Sequence, residues 1–330
     1  MKGGVSLYQK LTNLLTGCKL DTYLDLLART GLHYEGPAEQ TVLLWEGDCL
    51  IATGSRQDNV LKYLAVDPAY QGMDLTAKIL TALQEDALQQ GHKHLFLYTK
   101  PRNKLQFQSL FFYPIAQTKD VLLMENRKNG IRNFLDSLPR PCTEGIIGSA
   151  VMNCNPFTLG HQYLIEEAAK DCDHLYVFIL SEDKSFFPAK DRLEMARLGT
   201  AHLKNVTVLP TGPYLISSAT FPTYFLKEQS KGTEVQCALD IAIFSHYYIP
   251  HFSITRRYVG SEPLCPVTNA YNQALAKDLP IELKVLPRLE REGSPISAST
   301  VRAQFPHISH LVPETTYTYI NNNSTLIDRR

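Results

Sequence analysis

The chain has 330 residues, and its 33 basic side chains balance 33 acidic ones. That length suits two domains, and the even charge leaves no field to hold a nucleic-acid backbone or an anionic membrane. No apolar run reaches membrane-spanning length, the start MKGGVSLYQKL lacks a signal-peptide core, and seven scattered cysteines without a C-x-x-C pair point to a reducing cytoplasm rather than a disulfide framework or a zinc site. In chain order, residues 5 to 31 read as two helices, with Leu11, Leu14 and Leu15 and then Leu24, Leu26 and Leu27 as apolar faces. Strand-like runs follow at Thr41 to Trp45, Cys49 to Thr53 and Leu61 to Val66, with Asp67-Pro68 ending the third. A helix is expected from Gln71 to about Gln90, then a strand at His94 to Thr99 and closing strands at Phe111 to Pro114 and Val121 to Glu125.

This order resembles the GNAT acetyltransferase fold. The phrase Val66-Asp67-Pro68-Ala69-Tyr70-Gln71-Gly72 is similar to the entry into that family's pyrophosphate loop, where backbone amides grip coenzyme A. The chain departs from the pattern at Asp74 and Thr76, where small residues are usual. A carboxylate repels a pyrophosphate and a side chain obstructs close backbone approach. The expectation is a GNAT-like scaffold that does not bind acetyl-CoA conventionally. By analogy of fold alone, it could receive a phosphopantetheine-like arm carried on a partner protein.

Asn126 to Glu144 reads as a junction, with a basic patch, a short helix and Pro139-Arg140-Pro141. Beyond it strands and helices alternate: Ile146 to Met152, Leu159 to Lys170, Leu175 to Leu180, Asp191 to Leu203 and Val206 to Leu209. This is the pattern of βαβ units in a parallel sheet. The expected domains are therefore an α+β unit over 1–130, a linker over 131–144, and an α/β Rossmann-like unit over 145–330. The asparagine-rich tail from Thr315 is expected to be peripheral.

The second half turns on Gly145 to Lys170, GIIGSAVMNCNPFTLGHQYLIEEAAK. A buried strand runs through Asn153-Cys154-Asn155-Pro156-Phe157, a turn-forming segment, into a helix whose first N–H groups face the crevice above the sheet. Such a helix start favours phosphate. Thr158, Gly160 and His161 stand at the junction: glycine permits close approach, and the other two add donors. Alone, a T-x-G-H could be an ordinary βα turn. A second cluster, Pro295-Ile296-Ser297-Ala298-Ser299-Thr300-Val301-Arg302, sets two hydroxyls and a guanidinium at another helix start. A serine N-cap with an exposed arginine would account for it, as would a polyphosphate clamp.

Together, N-x-N-P-F-T-x-G-H and I-S-x-S-x-x-R resemble the nucleotidylyltransferase superfamily, whose corresponding motifs hold ATP, and within it the citrate lyase ligase family. The resemblance covers the whole chain. It implies an acid-thiol ligase: ATP, accompanied by Mg²⁺, and acetate give acetyl-adenylate and pyrophosphate. The acetyl group then passes to the thiol of the phosphoribosyl-dephospho-CoA group on the acyl-carrier subunit of citrate lyase. By the same resemblance His161 donates to the α-phosphate, Thr158 replaces the first histidine of the commoner motif, and Ser297, Ser299 and Arg302 hold the β- and γ-phosphates. Asn153 and Asn155 shape the loop or touch ligand. Lys184 and Arg192, around Ser181 to Pro188, are candidate phosphate or acceptor contacts, and Gly260, in Arg257-Tyr258-Val259-Gly260-Ser261-Glu262, lies in an adenosine-side loop. Asp240 is either structural or a help to Mg²⁺. The alternatives are an adenylyltransferase of nucleotide-cofactor synthesis with an appended domain, a nucleotide-binding scaffold without turnover, and a true GNAT acetyltransferase.

Overall fold

The computed structural model describes residues 7–141, 144–183, 185–215, 221–262, 266–291 and 294–323. The chain forms two compact units, one of Met1–Gly130 with Phe221–Val235, the other of Ile131–Thr220 with Gln236–Arg330.

The first unit contains β1 (Leu7–Thr12), α1 (Cys18–Arg29), β2 (Gln40–Glu46), β3 (Cys49–Gln57), β4 (Val60–Val66), α2 (Leu75–Gln89), β5 (Phe96–Thr99), α3 (Lys104–Gln108), β6 (Tyr113–Gln117) and β7 (Leu122–Glu125). Its seven strands form one sheet in the order β1-β2-β3-β4-β5-β7-β6. The first of the two expected helices is instead a strand. Leu7 to Thr12 pairs antiparallel with Glu46 to Thr41, and that pairing with a distant strand overrides a helical spacing of leucines.

Strands β4 and β5 pair, in parallel, only at Val60↔Phe96 and Leu61↔Leu97. Beyond those residues lies a cleft of about 730 Å³, lined among others by Gly72, Asp74, Thr76 and Tyr98. Asp74 holds left-handed backbone at φ 55° and precedes the first turn of α2. Phe221–Val235, expected in the second domain, packs in this unit. The Tyr224 hydroxyl donates to the Tyr98 carbonyl (3.1 Å), its ring lies 4.9 Å from that of Tyr63, and Thr223 donates to the Glu35 carboxylate through both its backbone N–H and its hydroxyl. Such contacts join residues over a hundred positions apart, which local pattern does not encode.

The second unit contains α4 (Gly130–Asp136), β8 (Ile147–Met152), α5 (Leu159–Lys170), β9 (His174–Ile179), α6 (Ala189–Thr200), β10 (Val206–Pro210), the C-terminal part of α7 (Gly232–Ile243), α8 (Ile249–Phe252), β11 (Arg256–Gly260), α9 (Pro266–Asp278), β12 (Glu282–Leu286), the short pair β13 (Glu290–Arg291) and β14 (Ser294–Pro295), α10 (Ala298–Ala303) and α11 (Glu314–Asn322). The expected linker thus includes a helix of this unit, with Ile131 and Leu135 buried and Phe134 packed on Tyr214 at 5.6 Å. The asparagine-rich stretch expected to be peripheral contains α11, whose Ile320 is buried and whose Tyr319 bonds Asp191 at 2.8 Å.

Five parallel strands run in the order β10-β9-β8-β11-β12. The strand order reverses between β8 and β11, so a crevice opens outside the carboxyl ends of these two strands. All six residues of β9 are buried, as expected of a central strand covered on both faces. No helix among the described residues is long and apolar enough to cross a membrane.

Candidate active site

The turn leaving β8 places Thr158 as the N-cap of α5. Its hydroxyl oxygen accepts the His161 backbone N–H at 3.3 Å. The His161 ring turns back: its Nδ1 accepts the Thr158 backbone N–H at 3.0 Å and lies 2.9 Å from the Thr158 hydroxyl. This is a capping box in which histidine stands where glutamate or glutamine is usual.

The chemistry follows from the network. A ring nitrogen that accepts from a backbone N–H carries no proton, so His161 is the neutral tautomer with its proton on Nε2. Burial, with a smaller contribution from the Arg288 guanidinium, lowers its pKa to about 4. Near neutral pH His161 is therefore a fixed, uncharged N–H donor. Thr158 is only 1% exposed, and its hydroxyl is spent on His161.

Gly160 is required for assembly. A Cβ there would stand 2.9 Å from the Ile296 backbone carbonyl. The close approach at glycine is thus made by the chain itself, and it brings the I-S-A-S segment against the start of α5. Ser297 caps α10, accepting the Thr300 N–H at 3.0 Å. Arg302 donates to the Asn155 carbonyl at 2.6 Å and to the Ser299 hydroxyl at 3.3 Å. The two motifs, 147 residues apart at that first contact, are therefore one cluster of helix-start N–H groups, hydroxyls and a cation.

Asn153 is exposed, and its side-chain oxygen accepts from Arg192 at 2.6 Å. Asn155 is buried, and its side-chain oxygen accepts the Phe187 N–H at 3.0 Å. Both asparagines shape the loop.

Arg192 departs from expectation. It is 0% exposed, with Nε on the Phe187 carbonyl at 3.0 Å, Nη1 on the Asn153 carbonyl at 2.7 Å and Nη2 on the Glu182 carbonyl. Four of its five N–H donors go to loop oxygens, the Asn153 side-chain oxygen being the second acceptor on Nη1, so it braces the loop from a buried position. Lys184 lies outside the described residues. Gly260 ends β11 and accepts from Asn272 at 3.0 Å, with its Cα facing Leu164 of α5. Asp240 is buried on α7 and accepts the Tyr271 hydroxyl. No group of three or more His, Cys, Asp or Glu able to hold a metal occurs among the described residues.

One cation went unread in the sequence. Arg288 donates to the Ser261 carbonyl at 2.6 Å and pairs with Glu262, tying down the loop after β11, and its charge acts on His161. A position two residues past β12, at the same carboxyl edge of the sheet as Gly260, was the available signal.

Residues 147–320 match the family model of the citrate lyase ligase C-terminal domain, over half of the chain. The chain belongs to the citrate lyase ligase family. Residues 8–107 match the acetyltransferase (GNAT) family. The ligase of Klebsiella pneumoniae named for citrate (pro-3S)-lyase is 40% identical over 303 residues, covering 88% of this chain and 89% of that one. Its namesake in Escherichia coli K12 is 36% identical over 319 residues, covering 92% and 91%. A phosphopantetheine adenylyltransferase of Symbiobacterium thermophilum is 37% identical over 67 residues, covering 20% of this chain and 41% of that one. Family membership makes the second unit nucleotidylyltransferase-like and the first GNAT-like, and it makes the protein a ligase.

Proposed function

We propose that the protein joins acetate to a carrier thiol at the expense of ATP. In the first step an acetate oxygen bonds to the α-phosphorus as the bond from that phosphorus to the bridging oxygen breaks, and pyrophosphate leaves with the electron pair. In the second, the thiol of the phosphoribosyl-dephospho-CoA group on the acyl-carrier subunit of citrate lyase attacks the acetyl carbonyl, and AMP departs. The thiol's proton leaves with solvent or phosphate.

The observation that carries this reading is the neutral, Nδ1-fixed His161 at the start of α5. A transfer to a departing pyrophosphate needs no protein nucleophile. It needs preorganised donors where negative charge builds. His161 Nε2–H and the Gly160 N–H would serve the α-phosphate, since the Leu159 N–H already donates to the Leu311 carbonyl and the His161 N–H to the Thr158 hydroxyl, and Arg302 with Ser299 would serve the β- and γ-phosphates. Arg302 would exchange the Asn155 carbonyl for phosphate oxygen, a charge-assisted bond that is stronger than the one it replaces. The donor set is cationic and hydroxylic, which suits a polyphosphate, and Mg²⁺ accompanying ATP would supply further neutralisation of phosphate charge. Asn153, Asn155 and Arg192 would keep the loop in shape, and Gly260 would let the nucleoside lie close to β11.

Exchange of labelled pyrophosphate into ATP tests the reading. It should require acetate and proceed without the carrier. Exchange that needs 4′-phosphopantetheine or a mononucleotide instead would identify a cofactor adenylyltransferase. None under any condition would leave a nucleotide-binding scaffold.

A further inference from the structure

One charged side chain of the second unit lies outside the cluster just described and lacks the partners that burial demands. Arg257 of β11 is 1% exposed, and its Nε and Nη1 have no hydrogen-bond partner among the described residues. Nη2 makes a single long contact, 3.5 Å, with the Tyr271 hydroxyl. The guanidinium carbon sits 4.2 Å from the centre of the Phe244 ring. Asp240 accepts from Tyr271, and no ion pair to Arg257 occurs among the described residues. The Asp240 carboxylate stands one hydroxyl away, through Tyr271, while Nε and Nη1 remain orphaned donors that call for an explanation.

The side chain also points somewhere useful. Arg257 pairs with Ser149, in the middle of β8. Its guanidinium nevertheless reaches Phe244, whose ring packs 6.4 Å from Phe178. Phe178 pairs with Val151, two residues closer to the carboxyl edge. The cation lies on the face of the sheet where Phe244 and Phe178 pack, on the strand next to β8, and the strand order switches between these two strands.

We propose that Arg257 is the anchor for the small carboxylate that the enzyme activates. This rests on the ligase reading above and names the acid's subsite. Two free guanidinium donors, Nε and Nη1, match one small carboxylate, whereas the polyphosphate has Arg302 and the helix starts. The planar fork with free donors suits a carboxylate. Held through one oxygen, the acid keeps the other free to attack phosphorus. Phe178, Phe244 and Tyr248, with ring centres 5.3 to 6.4 Å apart, offer its hydrocarbon end a short apolar wall. Arg257 would then be a binding residue for substrate, and its unsatisfied donors in the free enzyme would be the reserve that substrate completes.

Melting curves of the full chain, in sodium acetate against sodium chloride of equal ionic strength, test this without turnover. Acetate should raise the Tm of the wild type, since it binds only the folded state. It should not raise that of Arg257→Met, and Arg257→Met should melt close to the wild type without acetate, because an apolar chain of similar length fills the space while Asp240 keeps its bond from Tyr271. Arg257→Lys should keep a reduced response. In pyrophosphate exchange the acetate KM of Arg257→Met should rise roughly tenfold to a hundredfold, with the ATP KM unchanged. The proposal is overturned if acetate leaves the wild-type Tm unmoved, if it stabilises the methionine variant equally, or if that variant melts well below the wild type. It is also overturned if ATP, rather than acetate, loses its stabilising effect in the variant. Absence of exchange in the wild type sinks the ligase reading instead, and the acetate-dependent melting shift stands apart from that result.

Discussion

Replacing Thr158 by valine removes one oxygen and leaves the volume of the side chain nearly unchanged at a position 1% exposed, so no cavity confuses the outcome. Two interactions vanish: the cap on the His161 N–H at 3.3 Å and the contact with Nδ1 at 2.9 Å. Losing an N-cap costs about 1 kcal/mol, and losing a net hydrogen bond about another 1 kcal/mol. For a unit of roughly 150–250 residues, each kcal/mol lowers Tm by about 2–4 °C, so a drop of about 4–8 °C is expected by calorimetry. The Thr158 backbone N–H still reaches Nδ1 and keeps the tautomer. The rate of acetyl-adenylate formation should therefore fall only about tenfold, well short of the hundred- to thousandfold typical of deleting a preorganised donor. Thr158→Ser should recover both properties. If Thr158 instead touched phosphate, valine would raise the ATP KM and leave Tm alone. That pattern would refute the assignment of Thr158 as the residue that positions His161.

Gly160→Ala should destabilise the second unit by about 1–3 kcal/mol and weaken ATP binding, because its Cβ meets a backbone carbonyl at 2.9 Å that cannot swing aside; urea denaturation and nucleotide titration check both. Arg302→Ala should weaken ATP binding and slow AMP transfer together, and Arg302→Lys should recover little because one ammonium cannot reproduce the fork, as steady-state kinetics will show. His161 should titrate near pH 4 by NMR, below the usual 6.5. Its folded pKa is depressed, so the unfolded chain binds the proton more readily between those values. Stability from this group is complete above pH 6.5 and is lost as pH falls toward 4, and the pH–rate profile should carry no inflection from His161 near 6.5.

The parts of this molecule written in local pattern were legible. The strand, turn and helix from Ile147 to Lys170, the meander of β2 to β4 and the alternation that makes a parallel sheet all follow from apolar spacing and turn chemistry. The serine cap at Ser297 was legible for the same reason. What escaped was decided by partners far away in sequence. Leu7 to Thr12 is a strand because β2 is there to pair with it. Tyr224 joins the first unit because Tyr63 and Tyr98 receive it. Arg192 looked like a phosphate ligand because its acceptors are oxygens of the loop, mostly backbone carbonyls, which composition never displays. Gly160 was expected to admit a ligand, and the atom it admits is the Ile296 carbonyl. Arg257 did leave a trace, a charged pair at the head of an apolar strand, but only the unsatisfied donors give it meaning.

The central claim is that a neutral His161, held by its own helix cap, stabilises charge at the α-phosphate. Single-turnover formation of acetyl-adenylate by His161→Ala, with ATP affinity and Tm measured on the same preparation, tests it most directly. The expected result is a rate lower by about a hundred- to a thousandfold, ATP affinity within a few-fold of wild type because the bond strengthens only in the transition state, and partial recovery in His161→Asn. A stable alanine variant that forms acetyl-adenylate at nearly the wild-type rate would contradict it.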